Sequence, residues 1–561
     1  MSEFSESEAS ALRPYFTNVD RPVFALINLP ETVKGALFAR YSRSPKSLRR
    51  LFLDEFAEEV KPARPGSQAS PASPVNPASP ASPVNPVSPA SPVNNDAAGA
   101  APGVGEARAE KLYQKVFNEY GDDSVAQLGG VHLACEDVSN ILTKVLERGR
   151  LAAYLEQSTR YIPYTSQRDG HWRYLVPAEL DGHPLRAAFV EALDDAFATY
   201  ARLIDTMRVW FEGRFPKSPA DSDGVYRSVI RAKALDTLRG LLPAATQSSL
   251  GIYGTGQAYE ALLLRMRAHP LLEVRAYADL MLEELRKVVP AFLTRVDQPD
   301  RGGAWSAYLA ETRRKTAETT ARLLGGATPA AADEVTLTDF DPDGEVKVVA
   351  AALYAASSLP DAQLMAAARA MSAADRKAVL AAYLGERGNR RHRPGRAFER
   401  TSYRFDVLTD YGAFRDLQRH RLLSMEWQTL TTRHGYSEPE AVIEAGAHEE
   451  WRRVMDRAAD VHDALVEAGL GRVAPYVVPM AYRVRFVMEM NAREAMHVIE
   501  LRTVPAGHPA YRRVCQQMHR LIADVAAHHA IAASMRFVDH SVVELERLQE
   551  ERRLEAKRQA R

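Results

Sequence analysis

The sequence predicts an α+β fold of two related domains, each a sheet flanked by long helices. Three observations carry this reading. Short segments with strand character, Val131–Cys135 and Tyr403–Leu408, occur once in each half of the chain. Longer stretches place apolar residues at helical spacing. One order of landmarks runs twice along the 561 residues, a length ample for two domains that each bury a core. A composition of 46% hydrophobic and 26% charged residues is that of a soluble globular protein.

Taken in order, residues 1–61 hold a segment, Val23–Phe56, that reads as folded. Residues 62–107 form a Pro/Ser/Ala-rich insertion in which Ser-Pro-Ala-Ser-Pro-Val-Asn recurs from Ser70, Ser79 and Ser88. Closely spaced prolines favour an extended chain, and so little large apolar surface leaves nothing to pack, so disorder is expected there. A ligand for a Pro-binding module is the sharper alternative. The first half resumes over 108–325, with a strand at Val131–Cys135, a helix at Val138–Glu147 and longer helices at Leu185–Phe215 and Leu271–Val289. Gly302–Gly344 reads as a connector because Gly325-Gly326 and Asp341-Pro342-Asp343-Gly344 are turn signals.

The second half, 326–536, repeats the order. Tyr403–Leu408 alternates like a strand, Gly412–Met425 has a helical pattern, and helical stretches follow at Asn491–Leu501 and Pro509–Ala533. Pro243 has its match in Pro479. Arg265 and Arg502 follow these prolines at nearly equal distances, and each is soon followed by His-Pro, at His269-Pro270 and His508-Pro509. Residues 537–561 read as a charged, solvated helical tail.

Several function classes lose support. With 72 basic against 72 acidic side chains the net charge is +0, so non-specific nucleic-acid binding is disfavoured. Cys135 and Cys515 stand outside any Cys-x-x-Cys pattern, which argues against a disulfide framework or a structural metal. No 18-residue apolar run and no basic, apolar leader occur, so no membrane association is expected and the chain reads as cytoplasmic.

The chemistry concentrates in one motif written twice, each copy altered in a different place. The first reads Arg148-Gly149-Arg150, seven residues, then Ser158-Thr159-Arg160-Tyr161. The second reads Arg419-His420-Arg421, seven residues, then Thr429. The first lacks the central His but keeps Glu156-Gln157-Ser158-x-Arg160; the second keeps Arg-His-Arg but has Thr431 in place of Arg160. Together they make one complete site, as a fused duplication would if its halves divided a function. A cationic cluster at a helix end suits phosphate or a polyanionic cofactor, because Arg offers a planar fork of donors; a solvated or ion-paired helix end is the plainer reading. An acid, an amide, a hydroxyl and a guanidinium at Glu156–Arg160 match a uracil-like base plus a phosphate. A strand-entry turn is the alternative there, and no His–Asp partner marks Ser158 as a nucleophile. Asn491-Ala492-Arg493 and His497 put Arg493 and His497 one helical turn apart. Arg391-His392-Arg393 repeats the tripeptide without its context and reads as a basic loop.

These residues resemble the flavin-dependent thymidylate synthases, whose motif is Arg-His-Arg, seven residues, then Ser, with a later Arg-x-x-Leu-Pro, an Asn-x-Arg and a downstream Arg. Both halves are similar to it, over about 21–300 and 345–535. The resemblance implies that Glu156, Gln157, Ser158, Arg160, Arg239 and Arg265 serve the substrate, and that Arg419, His420, Arg421, Asn491, Arg493 and His497 hold FAD. It implies that Arg502 favours the ionised imide of the uracil and so counts as catalytic. It further implies reductive methylation of dUMP with methylenetetrahydrofolate, NADPH as reductant, no metal, and a homodimer that forms a pseudo-tetramer with composite sites. A degenerate, non-catalytic flavin or nucleotide binder and a helical scaffold are the rivals.

Overall fold

The computed structural model describes residues 3–57, 127–219 and 221–542, together with Leu545 and Leu548. The expected insertion at 62–107 lies outside these residues, as does most of the expected tail.

Two four-stranded sheets form the framework. β1 (Val23–Leu26), β2 (Gly130–Ser139), β3 (Ala153–Glu156) and β4 (Gln247–Thr255) pair in the order β1-β2-β4-β3. β5 (Val335–Phe340), β6 (Ser402–Asp410), β7 (Ser424–Trp427) and β8 (Arg483–Asn491) pair in the order β5-β6-β8-β7. Every pairing is antiparallel. β6 shows why the sequence makes a strand: Tyr403, Phe405 and Val407 are buried while Arg404 and Asp406 alternate with them at the period of two. β2 departs from simple pairing at a bulge between Cys135 and Val138, where Asp137 takes a positive φ of 54°.

Each central strand hands over to a short helix that carries the motif. Ser139 ends β2 and caps the helix Asn140–Leu146, its Oγ accepting from the Leu142 N–H at 3.0 Å. Asp410 ends β6 and caps Tyr411–Leu417, its Oδ1 accepting from the Ala413 N–H at 2.8 Å. Both helices are seven residues long, so Arg148–Arg150 and Arg419–Arg421 leave their helices at equivalent points. The second helix is shorter than the Gly412–Met425 pattern predicts: it stops at Leu417 and Ser424 already belongs to β7. Val138 likewise belongs to β2 rather than to the following helix.

The two halves meet at the matched prolines. Pro243 and Pro479 form an antiparallel bridge with each other. Ala244 and Ala245 donate to the carbonyls of Val478 and Tyr476 at 2.9 and 2.8 Å, and Met480 and Ala481 donate to those of Leu242 and Gly240, both at 2.9 Å. Beside this seam the helices Leu185–Arg214 and His448–Glu467 lie together, tied by Arg453–Asp195 at 2.5 Å and Arg457–Glu191 at 3.0 Å. One apolar core runs through both halves, and a smaller one, with Phe16, Phe24 and Phe52, sits under the N-terminal helices.

The expected connector is corrected. Gly302–Gly344 contains a helix, Ala304–Leu324, and the whole of β5. That helix buries only Ser306 and carries Arg314 ion pairs to Glu311 at 2.7 Å and Glu318 at 2.5 Å. It owes its form to propensity and i,i+3/i+4 pairs rather than to an apolar stripe. The start of the expected solvated tail is docked as well: Arg512 donates to the Ser541 carbonyl at 3.0 Å, and Leu548 is buried. Among the described residues no helix is long and apolar enough to cross a membrane.

Candidate functional site

The two motifs face each other across the seam. β3 ends at Glu156, and the turn after it is pinned on both sides. The Gln157 N–H donates to the Ser249 carbonyl of β4 at 2.8 Å, its Nε2 donates to the Ser44 carbonyl at 2.8 Å, and the Ser158 N–H donates to that of Ser42 at 3.1 Å. The opposite wall is the helix Tyr411–Leu417. Between them lies a small cavity of about 30 Å³ bordered by Glu156, Gln157, Ser158, Thr159, Arg160 and Arg239 from the first half and by Gly412, Arg415, Asp416 and Arg419 from the second.

Its charges are interlocked. Arg415 Nη2 meets Glu156 Oε1 at 2.6 Å, and Lys144 Nζ approaches the other carboxylate oxygen at 3.3 Å. Burial would raise the Glu156 carboxyl, but Arg415, Lys144 and Arg419 outweigh it and bring it down to about 2. Asp416 contacts Arg419, lies 3.4 Å from Arg239 Nη1 and receives Arg502 Nη2 on its backbone carbonyl at 2.5 Å. Its carboxyl is likewise held far below the usual range against burial. Arg160 forks onto Asp236, Nε to Oδ1 at 2.8 Å and Nη2 to Oδ2 at 2.9 Å, and Nη1 donates to the Tyr511 hydroxyl at 3.3 Å. Four guanidinia against two carboxylates on the cavity wall leave an excess of two positive charges. Gln157 Oε1, Arg239 Nη2 and Arg419 Nε are buried with no hydrogen-bond partner among the described residues. One orphaned acceptor and two orphaned donors in a cationic cavity fit a ligand with an N–H edge and an anionic group.

Behind this wall, Arg502 Nε donates to His420 Nε2 at 2.9 Å. His420 is therefore the acceptor and neutral, which agrees with burial and the neighbouring Arg502 holding its pKa well below normal. His497 lies with its ring 5.8 Å from that of His420; burial and then Arg393, Arg390, Arg502 and Arg493 lower its pKa to about 4. Ligand atoms of His420, Glu494 and His497 all fall within 4.8 Å of one another, close enough for a metal triad. The guanidinia around them disfavour a cation, and this donor set fits a polyanion such as a dinucleotide diphosphate instead.

The remaining expected flavin contacts have internal uses. Asn491 Oδ1 accepts from the Glu494 N–H at 2.9 Å and caps Ala492–Arg502. Arg493 donates to the Pro394 carbonyl at 2.9 Å, and Arg421 reaches the Ala152 carbonyl across the seam at 2.6 Å. Arg265 is not brought to the cavity. It stands at the equivalent place in the other half, where a Cβ on Gly149 would lie 2.6 Å from the Tyr154 hydroxyl and 3.4 Å from Arg265 Nη2. Tyr154 thus takes the room of the absent histidine. The helix caps Thr255 and Asn491 fall at the same distance after Pro243 and Pro479. In that register Arg502 matches Met266, so Arg265 is one position out of line, and the counterpart of Asn-x-Arg is Thr255-Gly256-Gln257.

Sequence reasoning missed Lys144, Asp236, Arg415, Asp416, His508 and Tyr511. Three of them carried a signal. Arg415 and Asp416 lie on the short helix Tyr411–Leu417 that leads into Arg419–Arg421, and Asp236 sits one helical turn before Arg239.

Fold and site together define a fused pair of α+β halves with a small charged cavity at their seam. The chain belongs to the thymidylate synthase complementing protein (Thy1) family, whose profile matches residues 87–291 and again 336–527. It is 35% identical to a UPF0159 protein of Chlamydia muridarum over 99% of both chains. It is 26% identical to a flavin-dependent thymidylate synthase of Clostridium tetani, over 34% of this chain and 71% of that one. Among solved structures, a UMP/dUMP methylase PolB of Streptomyces cacaoi is 22% identical with a TM-score of 0.29, covering 36% of this chain and 97% of its own.

Proposed function

We propose that the chain is a flavin-dependent thymidylate synthase-like enzyme that converts dUMP to dTMP at one composite site per chain. The observation that carries this is the seam cavity, where the residues retained by the first motif meet those retained by the second. In this reading Arg160 and Arg239 take the phosphate, the orphaned Gln157 Oε1 accepts the imide N–H, and Glu156 holds Arg415 in place. Ser158 borders the base without attacking it. Arg502, fixed by His420 and the Asp416 carbonyl, places positive charge where an ionised imide develops. Arg419, His420, Arg421, Arg493 and His497 form the flavin side, with Arg390 and Arg393 adding charge beside His497. When bound, FAD would supply the hydride chemistry, and the protein orients the substrate and excludes water. NADPH and methylenetetrahydrofolate enter this reading as co-substrates from the motif resemblance alone.

Incubating the purified chain with dUMP, methylenetetrahydrofolate, NADPH and FAD tests the reading. dTMP formation that disappears in Arg502→Ala is expected; no dTMP from flavin-loaded protein would reject it. One observation favours a non-catalytic nucleotide binder: Asp236 and Asp416 already neutralise part of the cationic wall. Bound dUMP without turnover would select that reading.

A further inference from the structure

Arg160 divides two cavities. On one side lies the seam cavity of about 30 Å³; on the other is a space of about 50 Å³ bordered by Arg160, Lys233, Asp236 and the loop Pro505–Gly507. The fork that would face a phosphate is occupied by the Asp236 carboxylate in the same bidentate geometry a phosphate would use. We propose that Asp236 is a displaceable place-holder for the ligand phosphate on Arg160, and that His508 receives it when the phosphate binds. Substrate uptake is then an anion exchange, and Asp236 sets the affinity and the preference for a phosphorylated ligand.

The geometry around Asp236 supports an exchange over a permanent strut. His508 Nδ1 accepts from the Ala510 N–H at 3.2 Å, which leaves the imidazole hydrogen on Nε2. That nitrogen stands 3.9 Å from Asp236 Oδ1, and Arg239 Nε stands 3.9 Å from the same oxygen. Both are a short side-chain rotation away from a hydrogen bond. Lys233 lies one turn earlier on the same helix and Asp416 beyond Arg239. Asp236 therefore has His508 and Arg239 to turn to once Arg160 is taken. Asp416 has less freedom, because its carboxylate contacts Arg419 and lies 3.4 Å from Arg239 and 3.9 Å from Arg502.

The ligand's identity rests on the proposed function; the exchange does not. The test uses inorganic phosphate, with affinity read from the phosphate dependence of the melting temperature at constant ionic strength. Removing the competitor relieves the cost of an occupied fork, so Asp236→Asn is expected to bind phosphate about tenfold tighter. Adding Arg160→Met should erase the gain. Equal or weaker phosphate binding by Asp236→Asn overturns the proposal. Should that variant not fold, His508→Ala decides: removing the receiving donor is expected to weaken phosphate binding about threefold in the otherwise native chain, and unchanged or tighter binding overturns the proposal. If native protein binds dUMP no better than phosphate, the nucleotide reading fails while the exchange stands.

Discussion

Glu494 is 6% exposed and its Oε1 lies 3.8 Å from His420 Nδ1. Burial raises its carboxyl to about 7, with Arg393 and Arg493 only partly opposing. The folded state holds this proton to a higher pH than the unfolded state, which releases it near the ordinary value of 4.5. Its contribution is therefore fully present below pH 4.5 and lost as pH rises through about 7. Glu494→Gln keeps the shape and cannot ionise. It should stabilise the fold above pH 7 by about 1–2 kcal/mol and change little below pH 4.5, as chemical denaturation across pH would show. Glu156 behaves oppositely. Its depressed pKa makes it stabilising above 4.5, and the benefit fades as pH falls toward about 2. Glu156→Ala strands Arg415 in the core, while Lys144 keeps Glu147, at a cost of about 3–5 kcal/mol measurable by urea denaturation. The sequence pointed to Glu156 because it sits in the motif. It was silent on Glu494, whose importance comes from burial beside His420 and Arg393, both distant in sequence, a property that periodicity does not encode.

At the scale of elements, the seam depends on a tight crossing. A Cβ on Gly240 would lie 2.8 Å from the Trp451 ring and 3.1 Å from Ala481 Cβ. Gly240→Ala should lower stability by about 1–3 kcal/mol through overpacking, read as a drop in melting temperature with secondary structure retained. Gly213→Ala, where nothing approaches an added Cβ within 4 Å, is the control and should be neutral or slightly stabilising. Central strands and long helices were legible because alternation and helical spacing survive wherever one face is buried, as in β6 and Leu185–Arg214. The helix Ala304–Leu324 escaped notice for the complementary reason: almost all of it is exposed, so it lacks an apolar stripe. The glycines at either end of it, at 302–303 and 325–326, read as loop punctuation. β5 was lost with it, since it lies between those glycines and the turn at Asp341–Gly344.

At the scale of the molecule, the duplicated sheets and the Pro243–Pro479 bridge make one chain supply both sides of the cavity. Residues 325–333 are exposed throughout, so cutting the chain there should leave the halves associated through the seam and eluting as one species in size-exclusion chromatography. The same geometry bears on where the proposed divided site would be completed. Sequence comparison alone left open a site shared between two chains of a dimer. In the structure Arg160 and Arg502 already converge within one chain: Arg160 donates to the Tyr511 hydroxyl at 3.3 Å, and Arg502 lies over the same ring at 5.4 Å from its centre. A mixture of Arg160→Ala and Arg502→Ala proteins, unfolded together and refolded, should therefore recover no dTMP formation above either variant alone, because every seam still carries one lesion. Sites built between chains would instead regain up to about half of native activity by random pairing. Binding separates the two lesions. Arg160→Ala should weaken dUMP binding by about 1.5–3 kcal/mol, the worth of a charge-assisted contact, whereas Arg502→Ala should act mainly on turnover. Recovery on mixing would place the working site between chains and leave the seam cavity without the proposed role.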